Sequence, residues 1–124
     1  MTEAVMIVDD EANMRFVMGA VLERAGFSVL KAGSGAEALD LAQEHQPRVV
    51  ILDEMMPGIS GSETCRKLKA LSTLRHVAII MHSAGMEIGQ PDYLDRNGAD
   101  AAFTKPCQPG ELIAAINRFL TEMM

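Results

Sequence analysis

The sequence predicts an α/β domain: one parallel sheet with helices on both faces. Three observations predict it. Five short apolar runs alternate with five helix-like stretches along 124 residues. The clearest runs are rich in Val, Ile and Leu without polar alternation, as in strands covered on both sides. No repeat, low-complexity tract or linker interrupts the alternation, and alternating units of this kind force a parallel sheet with right-handed crossovers.

Residues 5–8 (VMIV) form the first strand. From Glu11 to Arg24, Met14, Val17, Met18, Val21 and Leu22 make a helical stripe, closed by Gly26 just past its end. FSVLK is a weaker second strand. Ser34 and Glu37 have capping-box spacing and open a helix to about His45, which Pro47 stops. RVVIL (48–52) is the third strand, and the loop MMPGISG leads to a second Ser-x-x-Glu start at Ser60 and Glu63, with a helix to about Leu71. VAIIM (77–81) is the fourth strand. Gly85, Gly89 and Pro91 break the next stretch, so a helix there is expected to be short, with Pro91 near its first turn. DAAFT is the fifth strand, and Pro109 starts a last helix carrying Leu112, Ile113, Ile116, Phe119 and Leu120.

Composition narrows the function classes. The length fits one domain with one core. Hydrophobic residues make up 48% and charged residues 23%, an ordinary globular balance. A net charge of -6 argues against electrostatic attachment to nucleic acid or to an anionic membrane. The cluster Arg66, Lys67, Lys69 and Arg75 reads as a solvated helix face, with docking to an acidic partner as the other reading. No apolar run reaches the roughly 18 residues of a membrane span, and no basic region precedes the first apolar stretch, so a cytoplasmic location is expected. Cys65 and Cys107 match no metal or redox spacing and are expected to be reduced thiols; the ten methionines are expected to fill the core.

The chemistry sits where the runs end. Asp9 and Asp10 follow VMIV, Asp53 follows VVIL, Ser83 follows AIIMH and Lys105 follows AAFT. In an open parallel sheet the carboxyl ends of the strands share one edge, where such sheets bind ligands. Each residue also has an ordinary reading: Asp9 and Asp10 as helix caps, Asp53 as a loop acid, Ser83 as a cap, Lys105 as a solvated strand end. Together they place three carboxylates, a hydroxyl and an ammonium in one pocket, and crowded carboxylates call for a cation.

VDD at 8–10, LDEMMPG at 52–58, HSA at 82–84 and TKP at 104–106 together resemble the receiver domain of two-component response regulators. The resemblance spans residues 1–124 as one receiver domain. It implies a flavodoxin-like sheet of order 2-1-3-4-5, which sets Asp10 near Asp53. It further implies Mg²⁺ held directly by Asp10, Asp53 and the carbonyl of Met55, with Asp9 acting mostly through water. Asp53 would be the nucleophile toward a phosphohistidine, with Lys105 and Ser83 contacting phosphoryl oxygens, Ala84 leaving room for the group to enter, and a cis peptide following Lys105. The implied partners are a sensor histidine kinase or phosphotransfer protein and a downstream target or output domain. Kinase docking would involve the first helix, through Asn13, Met14, Phe16 and Val17, and the loop after the fifth strand; the face of the last two helices and the fifth strand would meet the output partner. Neither the cognate kinase nor the oligomeric state is encoded in a recognisable motif. No output domain follows Met124, so the chain is expected to be a free-standing regulator, a relay intermediate or the receiver of a longer protein.

Several positions depart from the family pattern. Ala102 stands where an aromatic switch residue is usual, and Phe103 points to the opposite face and cannot substitute. Signalling is therefore expected to rely on Ser83 and the loop at 84–91. Glu54 adds a fourth acid at the rim, expected to bias metal affinity or partner choice. Ser83 replaces the commoner Thr, and Cys107 a frequent Phe, so packing near Cys107 should be looser. His45 and His76 are expected in solvent, and His82 facing away from the pocket. These departures keep a pseudo-receiver, an interaction module that switches weakly or not at all, as the alternative. Other enzymes fit less well: position 55 is Met where a haloacid-dehalogenase-type phosphatase needs an acid, the Gly-x-x-x-x-Gly-Lys-Ser/Thr loop is absent, and the aromatic residues that sandwich a flavin are lacking.

Overall fold

A computed structural model describes residues 4–74, 76–85 and 90–122. Five strands form one parallel sheet: β1 (Ala4–Val8), β2 (Ser28–Ala32), β3 (Val49–Leu52), β4 (Ala78–Ser83) and β5 (Ala101–Thr104). Their order is β2-β1-β3-β4-β5, as the family resemblance implied. The helices are α1 (Ala12–Arg24), α2 (Gly35–His45), α3 (Gly61–Ala70), α4 (Tyr93–Asn97) and α5 (Pro109–Glu122), and a 3₁₀ turn at Ser72–Leu74 follows α3.

The sheet separates two cores, and residue parity along each strand decides which core a side chain joins. Met6, Val8, Val50, Leu52, Ile79 and Met81 pack under α2, α3 and α4. Val5, Ile7, Val49, Ile51, Ala78 and Ile80 pack under α1 and α5. All but Ala78 are at most 2% exposed. Continuous Val and Ile runs are therefore required, because either face of the central strands would otherwise bury a polar group. Each large side chain so buried contributes roughly 1.5–3 kcal/mol.

Both Ser-x-x-Glu starts act as caps: Ser34 Oγ accepts from the Glu37 amide at 3.2 Å and Ser60 Oγ from the Glu63 amide at 3.1 Å. The structure shifts several expected bounds by a residue and alters one feature. β4 continues through Ser83, so His82 and Ser83 lie on the strand rather than after it. α4 has five residues, short as expected, and Pro91 lies just before its N-cap, Asp92. Gly98 ends α4 in the left-handed conformation, φ 78°. No described helix is long and apolar enough to cross a membrane.

Candidate functional site

Three backbone hydrogen bonds extend the strand ladders past the strand ends and fix the site. The Asp9 amide donates to the Ala32 carbonyl (3.1 Å), Asp53 to Val8 (3.0 Å) and Lys105 to Ser83 (3.1 Å). Asp53 is thereby held one strand from Asp9, and parallel strands lie about 4.8 Å apart. One carboxylate oxygen from each of Asp9, Asp10 and Asp53 can be chosen so that all three lie within 4.8 Å of one another. Asp9 and Asp53 are buried, whereas Asp10 is exposed.

Lys105 completes the cluster. Its Nζ lies 2.7 Å from Asp9 Oδ2, 3.3 Å from Asp53 Oδ2 and 3.9 Å from Glu11 Oε1. The peptide between Lys105 and Pro106 is cis. Burial raises the pKa of Asp53, Asp9 adds repulsion, and the Lys105 charge opposes both. Burial alone would lower Lys105, but its hydrogen bond to Asp9 and the charges of Asp53 and Asp9 outweigh this and raise it. The donor set is hard oxygen, the kind Mg²⁺ takes from one or two carboxylates with water completing its shell. Exposed Asp10 leaves the cluster open on one side, so the residues fit such an ion.

The other residues singled out in the sequence make contacts of their own around this cluster. Ser83 is fully buried; its Oγ accepts from the Gly85 amide at 3.3 Å and makes no hydrogen bond to the acids. The Met55 amide donates to Asp53 Oδ1 at 3.3 Å, while the Met55 side chain is exposed. His82 lines an apolar cavity of about 210 Å³ with Met14, Met18, Pro106, Cys107 and Leu112, on the α1–α5 side of the sheet. Its Nε2 is buried without a hydrogen-bond partner among the described residues. Burial, assisted by Lys105, lowers the His82 pKa to about 4. Cys107 borders the same cavity, in keeping with the looser packing expected there. Phe103 packs with the α1–α5 core and Ala102 with the opposite one.

Glu54 corrects one expectation. Its carboxylate does not join the acid cluster: Oε2 accepts from the Ser62 amide (3.0 Å), and Oε1 accepts from the Tyr93 hydroxyl (2.9 Å) and the Ser62 hydroxyl. Three donors hold it toward the start of α3 and toward α4. Sequence reasoning also missed Arg15, whose Nη1 donates to the Asp9 carbonyl at 2.6 Å. Arg15 sits six residues from Asp9, on a helix whose apolar stripe drew attention to its other side. The loop expected to move, 84–91, includes residues 86–89, which lie outside the described residues, as does Arg75 of the basic cluster.

Comparison with known proteins decides the family. Residues 5–117 match the model described as "Response regulator receiver domain". The chain belongs to the response regulator receiver family. Among curated proteins, this receiver is 36% identical over 121 residues to the polar-differentiation response regulator DivK of Brucella ovis, covering 97% of this chain and 98% of that one. Among solved structures it is similar to the chemotaxis response regulator CheY4 of Vibrio cholerae, with TM-score 0.87, 28% identity, and 96% and 99% of the two chains covered. It also matches the BeF₃-activated receiver domain of DrrB, a Thermotoga maritima protein, with TM-score 0.82, 29% identity, and 98% and 99% covered.

Proposed function

We propose that this receiver accepts a phosphoryl group on Asp53 from a phosphohistidine of a cytoplasmic sensor kinase or phosphotransfer protein, in a Mg²⁺-dependent reaction, and signals by changing which partner it binds. The observation that carries this reading is the convergence of Asp9, Asp10 and Asp53 within 4.8 Å of one another, with the Lys105 ammonium against Asp9 and Asp53.

One oxygen of the Asp53 carboxylate attacks phosphorus as the phosphorus–nitrogen bond breaks, and the departing imidazole keeps the electron pair and takes a proton. In such transfers the protein mainly positions groups and neutralises oxygens. Lys105, already 3.3 Å from Asp53, moves its ammonium onto a phosphoryl oxygen. Ser83 turns its hydroxyl from Gly85 to a second oxygen. Asp10, Asp53 and the Met55 carbonyl would hold the metal directly and Asp9 mostly through water, and the ion would offset the negative charge of the phosphoryl oxygens. Phe16 and Val17 of α1, 71% and 58% exposed, offer an apolar surface for the donor protein beside the site. The face formed by α4, β5 and α5 is assigned to the downstream partner.

The test is acetyl-phosphate labelling read by intact mass, with Mg²⁺ or with a chelator, alongside a panel of histidine kinases. Labelling that needs Mg²⁺ and vanishes in Asp53→Asn is expected. Absence of labelling by every donor would leave a pseudo-receiver.

A further inference from the structure

Glu54 and Tyr93 are joined across the gap between the nucleophile's loop and α4. Glu54 is the next residue after Asp53, yet its carboxylate is held by the backbone and hydroxyl of Ser62 at the start of α3 and by the Tyr93 hydroxyl at 2.9 Å. Tyr93 is 4% exposed and belongs to the core beneath α2, α3 and α4, the same core against which Ala102 packs. The small side chain at 102 thus shares its face of the sheet with an aromatic ring supplied from α4. That ring ends in a polar atom bonded to the residue beside Asp53.

We propose that the Tyr93–Glu54 hydrogen bond couples α4 to the state of Asp53: it holds α4 while Asp53 is a free carboxylate and is released when Asp53 carries a phosphoryl group. The proposal rests on the phosphorylation reading and names the regulation of that same site.

In the free state Asp53 accepts from the Met55 amide through Oδ1 and from Lys105 through Oδ2. Esterifying one oxygen removes an acceptor and adds a group of about −1.5 to −2 charge one residue from the Glu54 carboxylate. The peptide units from Asp53 to Met55 must then rearrange, and they carry Glu54. A hydrogen bond near 2.9 Å is lost within a small displacement, so the contact is either made or broken. On the far side it ends on a five-residue helix, an element short enough to shift as a unit.

Beryllofluoride with Mg²⁺, followed by amide chemical shifts, tests this in wild type, Tyr93→Phe and Glu54→Gln. In wild type, amides around Asp53, Lys105 and Tyr93–Asn97 are expected to shift together. In Tyr93→Phe the first two groups still shift, those of α4 no longer follow, and beryllofluoride binds about fivefold or more tightly, because linkage is reciprocal. Glu54→Gln, which keeps the shape but weakens the acceptor, moves both readouts the same way and serves if the first variant fails to fold. An α4 response equal to wild type in a folded variant overturns the coupling. So does a wild-type protein whose Asp53 and Lys105 amides shift while α4 stays still. If no wild-type amide responds, the phosphorylation reading falls first and the coupling with it.

Discussion

The fold keeps His82 neutral well into the acid range where a free histidine is charged. Its ring is 3% exposed, borders a cavity lined by apolar groups, and lies close enough to Lys105 to feel its charge. Its folded pKa, about 4, lies below the value of 6.5 it has when free. The unfolded chain therefore takes a proton first as the pH falls. Stability from neutral His82 is complete above about pH 6.5 and is lost as the pH drops toward about 4, by roughly 3 kcal/mol in all. Urea unfolding across that window is expected to show wild type losing stability relative to His82→Leu as the solution acidifies; parallel pH dependences would show that the ring is not held neutral. The orientation of His82 was legible in the sequence, because strand parity alone turns it from the face of Ser83. The partners of Glu54 were not. Tyr93 lies 39 residues away, and no local pattern announces a contact between a loop acid and a tyrosine on a helix the sequence barely defines.

At the scale of elements, the packing of α2 and α3 is what holds the nucleophile's loop in place. A Cβ at Gly61 would lie 2.2 Å from the Asp53 carbonyl oxygen and 2.7 Å from Glu54 Cα, both backbone atoms that cannot step aside. The Gly61 amide also donates to the Glu54 carbonyl at 2.9 Å, so α3 begins directly against the loop. A Cβ at Gly35, in the first turn of α2, would meet the Thr64 hydroxyl at 2.2 Å and the Ile59 side chain at 2.5 Å. Gly61→Ala and Gly35→Ala are each expected to cost about 1–3 kcal/mol through overpacking. Only Gly61→Ala should also depress acetyl-phosphate labelling of the folded protein, since it alone displaces Asp53. Equal labelling in both variants, measured at a temperature where each is folded, would separate α3 packing from site geometry. The helices themselves were readable from their serine caps, and the strands from their Val and Ile runs. What the sequence could not supply was this close approach, because a glycine after a capping serine looks like any helix start until the opposing backbone is known.

Across the whole molecule, a chain of net charge -6 gathers three of its carboxylates at one sheet edge. The strand order that brings them together came from the motif resemblance, since alternating elements alone fit several doubly wound orders. The gathering costs stability. Asp53 has a folded pKa above its free value because burial and Asp9 outweigh Lys105. Such a group stabilises the fold only while protonated: its contribution is full below the unfolded pKa and is lost as the pH rises through the folded one. At neutral pH the ionised Asp53 is therefore a liability, and Asp53→Asn in chelator should be the more stable protein. A divalent ion removes the same liability by binding only the folded cluster. At a hundredfold excess over Kd it adds about 2.7 kcal/mol, so the order should reverse on adding Mg²⁺, with wild type rising about 10 °C and Asp53→Asn much less. Thermal melts of both proteins in chelator and in Mg²⁺ check this directly. Equal shifts in the two would mean that the ion is bound away from Asp53, and a variant less stable than wild type in chelator would mean that Lys105 had already neutralised the cluster.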